Sequence, residues 1–429
     1  MSTNFNSDLD MARSYYAATA NPFSSPGRLE GEIETDVVII GAGYTGLHTA
    51  LCLAERGFGA AICEAGAIGW GASGRNGGQL IPGWRKSAAE LVQRFGKERA
   101  QLIFGLSLRA RDLALARAKT YDIDCDLVLN GHLLAAAKPA DLAWMSEEVE
   151  TLERVMDYPH ARVLDRDATR EKLNSPCFHG GLLDLKGGHF HPLNYALGLA
   201  KAARLKHVAL FENSQVLSLD ASRGVLARTA SGSVRAKYAV LACDAQLDGL
   251  EPRIGGHVMP VANYLVATAP LDDPAKLIGD QLAVSDSRFV VNYFRLSSDR
   301  RLIFGGGERY ATEAPADIAA FVRPFMARVF PQLAQTPIDY AWGGLVSITR
   351  SRLPHIGRIG NVFFAQGYSG QGTLIPAIVG EAIGDALNGD GDLMNVLSGL
   401  AGAKFPGGTG LRAPLHLMGM LWYALRDRL

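Results

Sequence analysis

An unbroken apolar run at residues 37–40, "VVII", has the pattern of a strand buried on both faces of a parallel sheet. Leu47, Ala50, Leu51 and Ala54 then recur at helical spacing, and Gly57 ends that helix. "AAICEA" supplies the next strand, so this stretch predicts a βαβ unit. From about residue 86 to residue 160 the pattern turns helical and rich in charge. Strand patterns return in "HVALFENSQVLSLD" and in "VRAKYAVLACDA", the second again apolar enough for burial on both faces. "PVANYLVATAPL" and "FVVNYFRLSSDRRLIFGGG" read as strands, the latter a hairpin turning at residues 297–299. The stretch "ADIAAFVRPFMARVFPQL" reads as a helix, and "VFFAQ" is a last buried strand running into "GYSGQG" and a further helix. Residues 1–34 are polar with two aromatic anchors, Tyr15 and Tyr16, and read as an arm or cap.

Composition narrows the classes. At 429 residues the chain exceeds what one hydrophobic core usually serves, so two domains are expected. The 43 basic and 43 acidic residues cancel, with no basic stripe, which argues against nucleic acid as a partner. The five cysteines (Cys52, Cys63, Cys125, Cys177 and Cys243) are scattered and never spaced as CxxC. They predict neither a disulfide framework nor a metal site, and suit free thiols in the cytoplasm. The first thirty residues lack the apolar run of a signal peptide, and no stretch has the length of a transmembrane segment.

The chemistry begins at the first strand–helix turn. Gly41, Gly43 and Gly46 form GxGxxG: one glycine for the tight turn, one for backbone approach to a pyrophosphate, one for helix–strand packing. Tyr44 and Thr45 lie within that turn. The helix N-terminus after it offers N–H groups and a partial positive charge to phosphates. Glu64, at the end of the second strand, stands where a carboxylate accepts hydrogen bonds from ribose hydroxyls. A dinucleotide is therefore expected, and the remaining choice is a visiting NAD or a resident FAD.

Three features favour FAD. "GWGASGRNGGQ" follows the second strand as a flexible polar loop, where an NAD domain would usually enter its next helix. "FAQGYSGQGTLIPAIVGEAIGDAL" adds a second strand–glycine–helix unit near the other end of the chain. A helix N-terminus at Gly370, Gln371, Gly372 and Thr373 is suited to stabilise the negative charge of a reduced flavin. One elongated cofactor touched by both ends of the chain is the expectation. An NAD-dependent dehydrogenase is the competing cofactor class.

"GAGYTGL", "GASGRNGGQ", "HFHP", "WGG…LPHIGR" and "AQGYSGQG" together resemble the glycine oxidase/D-amino-acid oxidase-like FAD oxidoreductases. Within that family the chain looks most like the gamma-glutamylputrescine oxidase group, whose N-terminal and C-terminal segments "SYYAATA" and "FPGGTGLRAPLHLMGMLWYALRDRL" also resemble. The resemblance implies an α/β Rossmann-like FAD-binding domain built from discontinuous segments, with an antiparallel β-sheet (α+β) substrate domain. The expected boundaries are an arm at 1–34, FAD-binding segments 35–85, 161–245 and 341–392, substrate segments 86–160 and 246–340, and a tail helix at 393–429. It also implies oxidation of a small-molecule primary or secondary amine to an imine, with O2 or another acceptor taking the electrons. A gamma-glutamyl polyamine is the expected substrate. The alternatives are an oxidase of a small amino acid (glycine, sarcosine or a D-amino acid) and a non-catalytic flavin-binding module.

Carried onto this chain, the resemblance places Ser73, Arg75, Asn76, Gly77, Gly78 and Gln79 beside the pyrophosphate and isoalloxazine. It places Val216 against the adenine, and Gly367 and Gly370 to Thr373 at the flavin's pyrimidine edge. Gln371 stands where the group often has histidine. The loop at 66–83 has no histidine and no cysteine follows Cys243, so non-covalent FAD is expected.

Flavin-linked amine oxidation needs a neutral amine held near the ring, which positioning and a desolvated pocket supply without a dedicated base. Asn263, Tyr264, Tyr293 and Arg295 are the candidates for that pocket. In an extended strand Tyr293 and Arg295 share one face and Asn292 and Phe294 the other. Arg295 is suited to grip a distal carboxylate; the plainer alternative is a surface hairpin charge paired with Asp299. For the two tyrosines the plainer alternative is core packing. His191, before Pro192, is expected to be structural or to line the pocket wall rather than to act as a base, and Trp342 either flanks the flavin or packs in the core. The tail is expected to dock on its own chain.

Overall fold

The computed structural model describes residues 13–247, 249–309 and 314–410, and the expected tail segment beyond Gly410 lies outside them, as do the first twelve residues. Two eight-stranded sheets organise the chain. In the first, Ala209–Phe211, Ala60–Cys63, Gly31–Ile40, Gly232–Leu241 and Val362–Gln366 run parallel in that order. His355–Ile359 closes one edge antiparallel, and the meander Ser218–Asp220 and Val225–Arg228 pairs with the first half of Gly232–Leu241. The strands of this sheet come from the beginning, middle and end of the sequence, and their apolar runs are buried on both faces.

Helices Tyr44–Glu55, Lys97–Thr120, Pro192–Leu205 and Ile375–Leu387 cover one face of it. Gly46 permits the first of these to lie against its strand, since a Cβ there would stand 2.0 Å from the Gly41 carbonyl oxygen. Buried Arg117 fastens the long second helix to the first, donating to the His48 carbonyl at 3.2 Å and to Cys52 Sγ at 2.7 Å.

The second sheet runs Ile338–Thr349, Val258–Thr268, Leu302–Arg309, Tyr293–Leu296, Ala283–Asp286, His132–Ala135, Gly181–Asp184, Ala161–Leu164. Its pairs are antiparallel except Ala283–Asp286 with His132–Ala135. One face, carrying Leu265, Ala267, Ile303 and Trp342, packs into the core of the first sheet's helices. The other, carrying Tyr264, Val266, Phe294 and Phe304, packs under helix Ile318–Val329.

Sheet membership departs from the expected boundaries in three places. Ala161–Leu164 and Gly181–Asp184 pair within the second sheet, not with the nucleotide-binding strands. Ile338–Thr349 also belongs to the second sheet along its whole length. Helix Lys97–Thr120, expected on the substrate side, packs on Ile375–Leu387 and Pro192–Leu205 of the nucleotide side. Four-residue strands carry too few alternations to show their period, and a helix's apolar stripe does not name its partner.

The arm is more deeply built in than a cap. Ser14 caps helix Tyr15–Ala18, and both tyrosines are buried. Tyr15 donates to Asp299 in the hairpin turn at 2.7 Å, while the Asn21 N–H donates to Asn194 Oδ1 at 2.8 Å. The arm thereby joins the second sheet to a helix of the first.

Candidate functional site

A single cavity of about 620 Å³ runs between the C-terminal ends of the first sheet's strands and the inner face of Ile338–Thr349. Its size suits a ligand larger than a simple metabolite, and strand C-terminal ends are where open parallel sheets bind nucleotides. Gly41 and Gly370 line the same cavity, although they stand at opposite ends of the folded chain's sequence.

The opening turn is shaped by close approach. Gly41 has φ +108°, and a Cβ on it would stand 2.6 Å from the Ala242 carbonyl oxygen. A Cβ on Gly43 would stand 2.8 Å from Ser73 Oγ. Gly43, the N-cap residue of helix Tyr44–Glu55, has no side chain to cap with, and the cavity meets the helix's N-terminal turn at Gly43, Tyr44 and Thr45. Ser73 reaches back to accept from the Tyr44 N–H at 2.9 Å.

Glu64 lies in the wall and accepts from the Ala42 N–H at 2.7 Å and the Gly66 N–H at 2.9 Å. Burial raises its carboxyl above the ordinary value, and those N–H groups work against that rise. Gln215, Val216 and Leu217 wall the cavity beyond it.

The glycine loop is held from several sides. Arg75 donates to the carbonyls of Trp70 at 2.6 Å and Gly343 at 3.0 Å, and the Trp342 indole donates to the Arg75 carbonyl at 3.0 Å. Asn76 donates to the Ala72 and Ser73 carbonyls and accepts from the Gly78 N–H. Gln79 donates to the Val284 carbonyl at 2.7 Å. At the closing turn, Gly370 has φ +96°, and the helix begins at Ile375, after the Gly370–Thr373 stretch expected to form its N-terminus. Thr373 donates to the Gln79 carbonyl at 2.9 Å, and Thr45 and Tyr368 share a hydroxyl hydrogen bond of 2.7 Å.

Of the expected cofactor residues, Gly41, Gly43, Tyr44, Thr45, Glu64, Ser73, Arg75, Asn76, Val216, Gly370, Gly372 and Thr373 line the cavity. Gly46, Gly77, Gly78, Gln79, Gly367 and Gln371 are not among the residues that line it. Cys243, Asp244, Ser347 and Tyr368 line it without having been singled out. The first two directly follow a buried parallel strand, the place from which the cleft of such a sheet is always lined, and that signal was in the sequence.

The four pocket candidates separate. Asn263 and Tyr293 come together, the tyrosine hydroxyl donating to Asn263 Oδ1, with the ring against Gly77, whose Cβ position lies 2.7 Å away. Tyr264 points to the opposite face of its strand and packs edge-on to Phe321 at 5.5 Å, so strand alternation removes it from the site. Arg295 is neither a surface charge nor open to a ligand. It is 2% exposed, and Asp299 pairs instead with Arg301. His191 is structural: it caps helix Pro192–Leu205 by accepting from the Asn194 N–H at 3.1 Å, and burial pushes its imidazole down to about 4.

Whether these residues suit a bound dinucleotide is answered by the turn itself. Gly41 and Gly43 let the turn close tightly on Ala242 and Ser73, and the cavity that runs unbroken past the first turn of helix Tyr44–Glu55 leaves a cradle for an extended, phosphate-bearing group. The family model described as FAD dependent oxidoreductase matches residues 36–386. The chain therefore belongs to the FAD-dependent oxidoreductases, and FAD is its cofactor. It is 39% identical to gamma-glutamylputrescine oxidoreductase of Escherichia coli (strain K12), over 97% of this chain and 98% of that protein. It is 36% identical to "Probable oxidoreductase OrdL" of Rhizobium meliloti, over 98% and 99% respectively. Glycine oxidase from Geobacillus kaustophilus shares the fold, with a TM-score of 0.72 at 23% identity over 83% of this chain and 95% of its own.

Asp244 gives the site a pH dependence. It accepts from the Gly367 N–H at 2.8 Å, and the protein packed round it raises its carboxyl from 3.8 to about 6. A raised folded-state value means that the folded chain holds the proton more tightly than the unfolded one. That stabilisation is fully present below 3.8 and is lost as pH rises through about 6. Between pH 5 and pH 7.5 (roughly the window bracketing that value), Asp244→Asn is expected to reduce the fall in Tm by about 2 °C. Superimposable pH profiles of Tm for the two proteins would contradict this.

Proposed function

We propose that the chain oxidises a gamma-glutamyl polyamine, gamma-glutamylputrescine foremost, at a primary or secondary amine. Two observations support this: the near-full-length similarity to an oxidoreductase named for that substrate, and the Asn263–Tyr293 pair set against the glycine loop.

In the proposed arrangement the helix end at Gly43, Tyr44 and Thr45 takes the FAD pyrophosphate, Glu64 the ribose and Val216 the adenine. Ser73, Arg75 and Asn76 flank the middle, and Gly370, Gly372 and Thr373 meet the redox ring. FAD supplies a two-electron acceptor for the hydride of the amine-bearing carbon. Asn263 orients the Tyr293 hydroxyl by accepting its hydrogen bond, and the pair positions the amine. An amine brought against that pair would leave water, which disfavours the ammonium, so the neutral amine is the form held there. Water then hydrolyses the released imine to an aldehyde. Arg295 has no part in gripping the substrate, because its guanidinium is enclosed.

Under anaerobic conditions gamma-glutamylputrescine is expected to bleach the visible flavin band of the purified protein, and glycine to leave it unchanged. Bleaching by glycine, sarcosine or a D-amino acid alone would replace this substrate assignment, and resistance to every amine would make the chain a non-catalytic flavin module. FAD is proposed to be non-covalent. Acid precipitation should leave the colour in the supernatant, and a yellow pellet would show a covalent link.

A further inference from the structure

Tyr16 of the N-terminal arm touches two residues that hold the glycine loop, Arg295 and Trp342. Tyr16 is fully buried, and its ring packs edge-on to Trp342 at 5.1 Å and to His191 at 5.0 Å. Its hydroxyl accepts from Arg295 Nη2 at 3.3 Å. Arg295 in turn donates from Nε to the Gly77 carbonyl at 2.8 Å and from Nη1 to the Leu296 carbonyl at 3.0 Å. Every acceptor of this buried cation is neutral, an expensive arrangement unless each hydrogen bond is kept.

The loop is thus gripped twice from the same tyrosine. Trp342, edge-on to Tyr16, donates to the carbonyl of Arg75, and Arg295, bonded to Tyr16, holds the carbonyl of Gly77. Between them the chain has no room to shift. A Cβ on Gly78 would lie 2.2 Å from the Phe190 carbonyl oxygen and 3.1 Å from the Arg295 guanidinium, and Tyr293 closes over Gly77. Ser73, Arg75 and Asn76, on the near side of this turn, line the cofactor cavity.

We propose that the arm is a working part of the cofactor clamp: Tyr16 seats Arg295, Arg295 fixes Gly77, and both are positioning residues for the loop that encloses FAD. The inference needs the cofactor but not the amine assigned above, so the two stand or fall separately.

The test is the rate at which the holoenzyme releases FAD on dilution, followed by the rise of free-flavin fluorescence. Tyr16→Phe removes one hydroxyl, and Arg295→Lys removes the fork while keeping the charge. Each is expected to speed release about tenfold, the scale of one lost hydrogen bond to a charged group. Tyr15→Phe is the control. It loses a hydrogen bond to Asp299 from the same helix turn without touching the loop, and is expected to lower Tm while leaving release within about twofold of the parent protein. The clamp is overturned if Tyr16→Phe releases FAD at the parent rate, or if Tyr15→Phe releases it as fast as Tyr16→Phe. Should Arg295→Lys fail to fold, Tyr16→Phe alone decides.

Discussion

Parallel pairing of Gly31–Ile40, Gly232–Leu241 and Val362–Gln366 brings the opening and closing turns to one cavity, and the hydroxyls of Thr45 and Tyr368 tie them there at 2.7 Å. Thr45 opens the first helix after the GxGxxG turn, and Tyr368 follows the last parallel strand. Thr373 adds a second tie, to the carbonyl of Gln79 in the glycine loop. Everything between is then constrained: the loop must cross under the second sheet, and the cavity must run from Glu64 to Gly370 without a break. A cofactor as long as FAD is the ligand class that makes such a span useful, because it carries a nucleotide at one end and a redox ring at the other.

Much of this was legible in the residues. The opening turn announces itself because only glycine tolerates the contacts at positions 41, 43 and 46, so the chemistry of the fold is written into three residues. The strand–glycine–helix unit at the closing end is legible for a different reason: Gly370 stands in open space but takes a φ of +96°. Strands with long apolar runs were also evident. Short strands such as His132–Ala135 were not, because four residues look alike in a helix or a strand.

The candidate substrate side was read less well, and the reasons differ by residue. Alternation correctly put Tyr293 and Arg295 on one face, yet it could not say how deep that face lies. Arg295 was expected to meet either solvent or substrate and meets the Gly77 carbonyl instead. Tyr264 neighbours Asn263 in sequence, and adjacency in a strand sends the two to opposite cores. Tyr15 and Tyr16 looked like anchors of a loose arm. Their burial between the sheets depends on partners near residues 191, 299 and 342, a distance over which sequence pattern carries no signal.

The second sheet therefore does two jobs at once. One face stabilises itself under helix Ile318–Val329, and the other presses Tyr293, Arg295 and Trp342 onto the loop whose Ser73, Arg75 and Asn76 line the cavity. The account rests on one elongated ligand occupying the whole cavity, and a crystal structure of the yellow holoenzyme tests it most directly. Density for a single FAD is predicted, its pyrophosphate at the amides following Gly43 and its ring system against residues 370–373. Density for a mononucleotide alone, or for a flavin ring remote from the closing turn, would contradict it.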